Sequence, residues 1–523
     1  MYLPLPTPGE MGAWDRMAMN EVGILPEILM ENASREALNV IKFRFNSFKG
    51  GSALVFAGSG NNGGDAFALA RHLWNHDVKV MILHSKRLKE YQGAAGYHLS
   101  LVKTLNIPLM YLHEYNLDFL KDVDIIVDGL LGTGFSGELR QDYVDWIKAI
   151  NKLGCKSYVI SLDIPSGING ITGKPNPVAV KADDTITFEE AKLGLLQADA
   201  REFTGCLSVG KIGIPKKIKR DNPPQHFGMT VQVLEQLAFP KKTMHKGHGG
   251  HVLIIGGSSG MSGAALLSAL GALRSGAGLV TIACPAGLTG DIRSCWPEIM
   301  LLPLGNAKSW SQELMDELTP ELHRFTSIVI GPGMGRDEST RDFIRSFARQ
   351  TANKIIFDAD ALFLLASDQE LIKTLPDKKN AVFTPHPGEM ARFFNVPASD
   401  INLDRTKFAR EFVQKFQVNL VLKGAGTIIA SPDSPFYVSP FAAPNLAVGG
   451  SGDVLAGVIA SLMGQQLSPV DACNIGVYWH GLAGKELEKK YPLRGNLARE
   501  IADYLPAVLA KVRENENKTC LTD

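Results

Sequence analysis

Cysteine is scarce in this chain, and long apolar runs are missing. Six cysteines, at 155, 206, 284, 295, 473 and 520, are scattered through 523 residues without a C-x-x-C pair. That spacing indicates neither a zinc site nor a disulfide framework, and leaves free thiols in a reducing compartment as the expectation. No stretch approaches the ~20 apolar residues that span a bilayer, so no membrane association is expected. The opening MYLPLPTPGEMGAWDRM carries no basic segment followed by an apolar one, so no export signal is read there and a cytoplasmic protein is expected. Nor is one sign of charge in excess: 54 Lys and Arg balance 54 Asp and Glu, which argues against a nucleic-acid partner. No repeat of about 20–50 residues recurs, which excludes a solenoid.

What is present is an ordinary globular composition, 45% hydrophobic and 21% charged, in a chain too long for one core. About two to four domains are expected. The first half opens with two helical stretches, about 9–22 and 26–46. Strands then alternate with helices: strands at 52–57, 78–83, 125–131 and 158–162, helices at 66–74 and 143–150. Short continuous apolar strands separated by helices predict a parallel sheet covered on both faces, an α/β fold. The segment 215–224, PKKIKRDNPP, is charged and proline-rich without interleaved aromatics, and reads as a solvated linker. The alternation then restarts, with strands at 251–255, 279–283, 327–330, 354–357, 381–384 and 419–422. Nearly every one ends in Gly, Pro, Asp or His, and in open α/β sheets the ligand binds outside those carboxyl ends.

In the first half, Gly58-Ser59-Gly60-Asn61-Asn62-Gly63-Gly64-Asp65 joins a strand to a helix and suits close backbone approach to an anion. A second loop, Asp128 to Gly137, contains G-x-G-x-x-G at 132–137 with Asp163 downstream, the pattern of a dinucleotide-dependent oxidoreductase. It stands late in its domain for that role, however. A third, Ser161 to Gly167, places Asp163 and Ser166 at a strand end. Asn62, Asp128 and Ser166 together offer hard oxygen ligands to a cation, and Asp163 an acid or base; each alone also suits a turn cap. Gly167 to Lys174 is not a P-loop, because its spacing is one residue too long and Pro175 replaces the Ser or Thr.

The second half is richer in phosphate-type loops: 256–264, 331–335, 358–362, 384–390 and 423–427. His386 stands between two prolines, and Lys423-Gly424-Ala425-Gly426-Thr427 supplies a cation, flexible backbone and a hydroxyl. Then comes Gly449-Gly450-Ser451-Gly452-Asp453 before an apolar helical run, Val454–Met463. Asp453 is placed either as a helix cap or to take a proton from a hydroxyl that faces a phosphate. Neither a Walker A motif nor protein-kinase signatures are present, so nucleotide-dependent chemistry on a small hydroxyl-bearing substrate is expected.

MENASREA (30–37), NNGGD (61–65), DGLLGTGFSGE (128–138) and DIPSG (163–167) occur in order in the first half. HVLIIGGSSGMSGAALL (251–267), GPGMG, TPHPGEM, KGAGT and GGSGDVLAG (449–457) follow in the second. On these motifs the whole chain resembles the bifunctional NAD(P)H-hydrate repair enzymes. The resemblance implies a Rossmann-like three-layer epimerase domain over 1–222 and a ribokinase-like dehydratase domain over 223–518. The implied substrates are the hydrates NADHX and NADPHX, with ADP consumed together with Mg2+. The first domain would interconvert R and S epimers; the second would dehydrate the S epimer.

By the same resemblance Asn61, Asn62, Gly63, Gly64, Asp65, Gly132, Thr133, Gly134, Phe135, Ser136, Gly137, Glu138 and Asp163 would hold the hydrate in the first domain. Asn62, Asp128 and Ser166 would bind K+, with Asp163 catalytic. In the second, Ala264, Gly333, His386 and Asp453 would line the hydrate site, with Asp453 catalytic. Lys423, Gly424, Ala425, Gly426, Thr427 and Gly452 would contact the nucleotide. A homo-oligomer is implied as well. Ala66 stands where the pattern has glycine, and Ser451 where Thr or Met is frequent; both are small. A vitamin or sugar kinase of the same fold is the rival reading, against which the long NNGGD half argues.

Overall fold

Valine, isoleucine and leucine fill the strand segments because both faces of each sheet are buried under helices, so the runs need not alternate with polar residues. The computed structural model describes the chain except residues 46–48, 116–121, 136, 198, 238–241, 294–295, 351–352 and 520–523, and the side chains of 293 and 515–519. Two compact units are present, Pro4–Phe227 and Met1–Leu3 with Gly228–Asp523.

The first unit holds a seven-stranded sheet in the order Leu109–Tyr111, Lys79–His84, Ser52–Ala57, Ile125–Gly129, Tyr158–Leu162, Asp184–Phe188, Cys206–Gly210. Every pairing is parallel. Ala53 and Val55 point into a core with the helices Pro8–Asn20, Pro26–Phe45, Asn61–Trp74 and Gly93–Thr104, while Leu54 and Phe56 join Trp146 and Ile147 of Gln141–Leu153 on the other face. Strand Ser52–Ala57 has later strands on both sides, so the chain reverses direction across the sheet beside it. That switch point leaves a crevice at the carboxyl ends.

Two expectations are corrected here. The segment read as a linker is the helix Lys216–Asp221, with Ile218 buried and Lys219 paired to Glu189 and Glu190. Trp14 Nε1 donates to Asn222 O at 3.0 Å, which fastens the helix end. Lys219 looks solvated in sequence because its acidic partners lie some thirty positions earlier, whereas Lys217 and Arg220 are exposed and pair with Asp221. The G-x-G-x-x-G match also fails structurally: the next helix begins only at Gln141, whereas NNGGD is itself the first turn of helix Asn61–Trp74.

The second unit carries an eleven-stranded sheet. From Met300–Leu304 it runs through Leu279–Pro285, His251–Ile255, Ser327–Ile330, Lys354–Phe357, Ala381–Phe383 and Asn419–Leu422, all parallel. Ile428–Ser431 and Ser434–Val438 follow antiparallel, and His226–Met229 and Tyr2–Pro4 complete the edge. Val252 and Ile254 pack on helices Ser262–Arg274, Ser451–Gly464, Pro469–Lys490 and Ala498–Thr519; Leu253 and Ile255 pack on Glu338–Gln350, Ala359–Ala366, Pro387–Phe394 and Arg405–Phe416. Both units are thus the three-layer α/β sheets that the sequence implies.

One close approach positions the chemistry. A Cβ on Gly457 would lie 1.9 Å from Ser268 O, and one on Gly271 2.3 Å from Val454 O. Glycine at both sites lets helices Ser262–Arg274 and Ser451–Gly464 touch backbone to backbone, and Ser268 Oγ donates to Asp453 O at 2.9 Å. The start of the Asp453 helix is thereby fixed beside the loop that follows His251–Ile255.

Candidate active sites

In the first unit a cavity of about 650 Å³ lies at the switch point. Its floor is the start of helix Asn61–Trp74 and the loop after Ile125–Gly129, and its roof the two N-terminal helices. Asp163 is held with φ +65, so its carboxylate turns back into the cavity. Lys192 Nζ meets Asp163 Oδ1 at 2.6 Å, and Thr133 N donates to Oδ2 at 3.0 Å. Lys192 is only 1% exposed and also donates to Thr187 Oγ1 and Phe188 O. Burial alone would raise the Asp163 pKa, but the ammonium beside it brings the carboxyl below its ordinary value. Two further acids line the same cavity and are shifted in the opposite direction. Burial, with Asp163 and Asp15 nearby, pushes Asp65 well above the carboxylate range, and burial raises Asp15 to about 6. The cavity therefore combines a carboxyl lowered by a neighbouring ammonium with one raised by burial.

Of the residues expected here, Asn61, Asn62, Asp65, Gly132, Thr133, Gly134, Phe135 and Asp163 line the cavity. Gly63 and Gly64 lie behind it, where Cβ atoms would strike Gly58 O and Met30 Sδ. Gly137 and Glu138 are exposed outside it, and Ser136 lies outside the described residues. Ala66, in place of glycine, packs against Gly129. Asp128 and Ser166 sit beneath the floor. Asp128 Oδ1 accepts from Ser166 Oγ at 2.6 Å, and Oδ2 accepts from Ser166 N and Ser161 Oγ, both at 2.8 Å. Asn62 Oδ1 is buried without a hydrogen-bond partner, while Nδ2 faces the carbonyls of Leu131 and Leu162 at 2.8 and 3.1 Å.

In the second unit, neighbouring strands deliver Asp358, His386, Glu389 and Lys423 to one place, since Lys354–Phe357, Ala381–Phe383 and Asn419–Leu422 are adjacent. Lys423 Nζ bonds Asp358 Oδ1 at 2.9 Å and lies 3.8 Å from Glu389 Oε2. Burial would favour a neutral Lys423, but Asp358 and Glu389 hold it protonated. Asp453 is the third residue of its helix, and the cap is Gly450, at φ +90, not Asp453. Burial, then the charge of Asp358, raises Asp453 to about 8. Glu389 is raised in the same way, to about 7. A Cβ on Gly452 would be 3.1 Å from Lys423 Nζ, which puts the Asp453 turn directly over the lysine.

The other expected residues surround this centre. Gly333 abuts Ala264, with a Cβ there falling 3.2 Å from Ala264 Cβ. Its loop is tied in through Gly335 N and Arg336 Nε, which both donate to Asp360. His386 caps helix Pro387–Phe394 through Nδ1, and Nε2 stands 3.5 Å from Glu389 Oε1. Residues 423–427 form the turn between two antiparallel strands, and Thr427 Oγ1 closes it on Gly424 O at 2.8 Å. Arg405, which carried no motif, is buried under that turn and donates to the carbonyls of Leu422, Lys423, Ala425 and Gly426.

The NAD(P)H-hydrate dehydratase family profile matches residues 252–507, and the profile of the YjeF-related protein N-terminus matches 26–194. The chain is 38% identical over 529 residues to the bifunctional NAD(P)H-hydrate repair enzyme Nnr of Moorella thermoacetica, covering 98% of each. It is 33% identical over 497 residues to the protein of the same name in Escherichia coli, covering 95% of this chain and 92% of that one. Among solved structures, the ADP/ATP-dependent NAD(P)H-hydrate dehydratase from Bacillus subtilis, crystallised with ATP and Mg2+, matches at 29% identity and a TM-score of 0.45. That match covers 53% of this chain and 95% of the other.

Proposed function

The chain belongs to the bifunctional NAD(P)H-hydrate repair enzymes, and on that premise we propose how each of its sites works. The activity is repair of hydrated nicotinamide cofactors: epimerisation of R- and S-NAD(P)HX, and nucleotide-dependent dehydration of the S form to NAD(P)H. In the hydrate, C6 bears a hydroxyl and is bonded to ring nitrogen N1, so it is a hemiaminal carbon.

In the first unit the ionised Asp163 takes the hydroxyl proton as the C6–N1 bond breaks. The electron pair returns to N1, which receives a proton from Asp65. Closure on the other face of the resulting aldehyde reverses both transfers and inverts C6. The buried Asp163–Lys192 pair facing Asp65 in one cavity is the observation that carries this reading. The start of helix Asn61–Trp74 suits the pyrophosphate.

A potassium ion fits beneath this floor. The unpartnered Asn62 Oδ1 and the two carbonyls facing its amide are hard oxygens, as are Asp128 and Ser166. Bound there, the ion would fix the loops that present Asn62 and Asp163. Epimerisation is expected to fall when potassium is replaced by choline and to recover on its return; indifference to the cation would remove the ion from this reading.

In the second unit Asp453 takes the proton of the C6 hydroxyl as that oxygen attacks the β-phosphorus of ADP and AMP leaves. The Gly450 and Gly452 N–H groups at the helix start, with Lys423, would stabilise the transferring group. Phosphate then departs with the C6–O electron pair, C5 loses a proton, and the C5–C6 double bond of the reduced cofactor forms. Asp358 and Glu389 are oxygen donors suited to a magnesium ion that arrives with the nucleotide and offsets its charge. Asp453 on a helix start against Lys423 carries this half of the reading.

The test mixes the protein with both NADHX epimers, Mg2+, K+ and either ADP or ATP, and follows the reduced-nicotinamide absorbance. Recovery only with nucleotide supports the dehydratase, and recovery beyond the S fraction, faster than spontaneous epimerisation, supports the epimerase. No recovery with either nucleotide would overturn the reading. Among the described residues no helix is long and apolar enough to cross a membrane, and Cys155, Cys206, Cys284 and Cys473 are free, which supports a reducing, cytoplasmic setting.

A further inference from the structure

We propose that Lys86, Arg87 and Lys89 form a subsite for the 2′-phosphate of NADPHX, so that the epimerase site prefers NADPHX to NADHX. The proposal rests on the epimerase reading above, and deepens it by naming which hydrate the site selects.

Strand order sets the direction of a bound dinucleotide. Ser52–Ala57 has Lys79–His84 on one side and Ile125–Gly129, then Tyr158–Leu162, on the other. Asp163 follows the last of these, so the nicotinamide end lies on that side. With the pyrophosphate at the start of helix Asn61–Trp74, the adenosine is left with the opposite side, at the carboxyl end of Lys79–His84. In open sheets of this kind, an acid near that strand end reads a free ribose 2′-hydroxyl, and a cation accommodates a 2′-phosphate. Here the residues are His84-Ser85-Lys86-Arg87-Leu88-Lys89, without an acid before Glu90.

The local structure supports the assignment. A hollow of about 560 Å³ opens at this point, lined by Ser59, Lys86, Lys89, Glu90 and Gln92. Ser59, in the glycine loop, lines both this hollow and the 650 Å³ cavity, so the two are neighbours. His84, buried at the strand end, bonds Lys86 O through Nδ1 at 2.8 Å and fixes the turn that presents the cations. Arg87 and Lys89 are exposed, Lys86 is half-buried, and none of the three has an ion-pair partner among the described residues. Among the residues lining this hollow, Glu90 is the one carboxylate, beside Lys86 and Lys89.

The test uses the full chain without nucleotide, so that dehydration is silent, and follows R-epimer formation from purified S-NADPHX or S-NADHX by chromatography. The expected kcat/KM is about tenfold higher for NADPHX, falling with added salt because the contacts are exposed. Changing Lys86, Arg87 and Lys89 together to alanine is expected to erase the preference, leaving NADHX turnover within about twofold of its original value. With the unaltered protein, adenosine 2′,5′-bisphosphate is expected to inhibit epimerisation about tenfold more strongly than 5′-AMP. Equal turnover of the two hydrates, equal inhibition by the two nucleotides, or a triple variant that slows both hydrates alike would overturn the proposal. If the unaltered protein epimerises neither hydrate, the epimerase reading falls and the proposal with it.

Discussion

Replacing Lys192 by methionine removes its charge and keeps most of its stem. The ammonium lies 2.6 Å from Asp163 Oδ1 and donates to Thr187 Oγ1 and Phe188 O at 2.9 and 2.8 Å. At 1% exposure the lysine is shielded from bulk solvent. Breaking a buried pair by deleting one partner costs about 3–5 kcal/mol, a large share of the roughly 5–15 kcal/mol that holds a domain together. Proton uptake limits the loss: without the cation, burial beside Asp65 and Asp15 raises Asp163 and neutralises it. The site then lacks its ionised base, and epimerisation is expected to fall by about 10²–10⁴. Dehydration of the S hydrate is expected to continue, because Asp453 belongs to the other compact unit. In the absorbance assay with ADP, the variant should stop at the S fraction and then creep at the spontaneous rate. The double variant Asp163→Asn with Lys192→Met removes both charges, and should regain most of the lost thermal stability but none of the epimerisation. Epimerisation at the original rate in Lys192→Met would refute the assignment.

Three other outcomes are expected. Asp453 has its pKa raised to about 8 and serves as a base only when deprotonated, so kcat/KM for dehydration should climb as pH rises through 8 and fall about tenfold from pH 7 to pH 6; a flat profile from pH 6 to 8 would exclude that role. Arg405→Met leaves the carbonyls of Leu422, Lys423, Ala425 and Gly426 without their donor, so the nucleotide KM should rise about tenfold while kcat changes less, with partial rescue in Arg405→Lys. Gly457→Val drives side-chain atoms into the backbone of helix Ser262–Arg274 and should destabilise the second unit by about 3 kcal/mol or more, measured by denaturant unfolding; an unchanged midpoint would contradict the backbone contact at Ser268.

Strands such as Ser52–Ala57 and His251–Ile255 were legible because a strand covered on both faces reads as a continuous apolar run, although the equally apolar Met300–Leu304 was not read as one. Asp184–Phe188, DTITF, escaped notice: it is short, and three of its five residues are polar although all are buried. Lys192, which follows it, therefore carried no signal as a strand-end residue. Asp15 was hidden for another reason, since it sits within a helix, away from any glycine loop. Asp358 and Glu389 lay in loops already singled out, but only adjacency of their strands to Asn419–Leu422 makes them partners of Lys423.

By itself, then, the sequence determined the α/β class, the two-part organisation and the glycine-rich strand-end loops to which the chemistry is assigned, all of which depend on neighbours within a few residues. The charge state of the groups in those loops was decided only in the tertiary structure. Asp163 is lowered, Asp65 raised and Asp453 raised because of burial and of charges brought from distant positions. Desolvation and Coulomb interaction depend on distance in space, and no local pattern of residues encodes that distance.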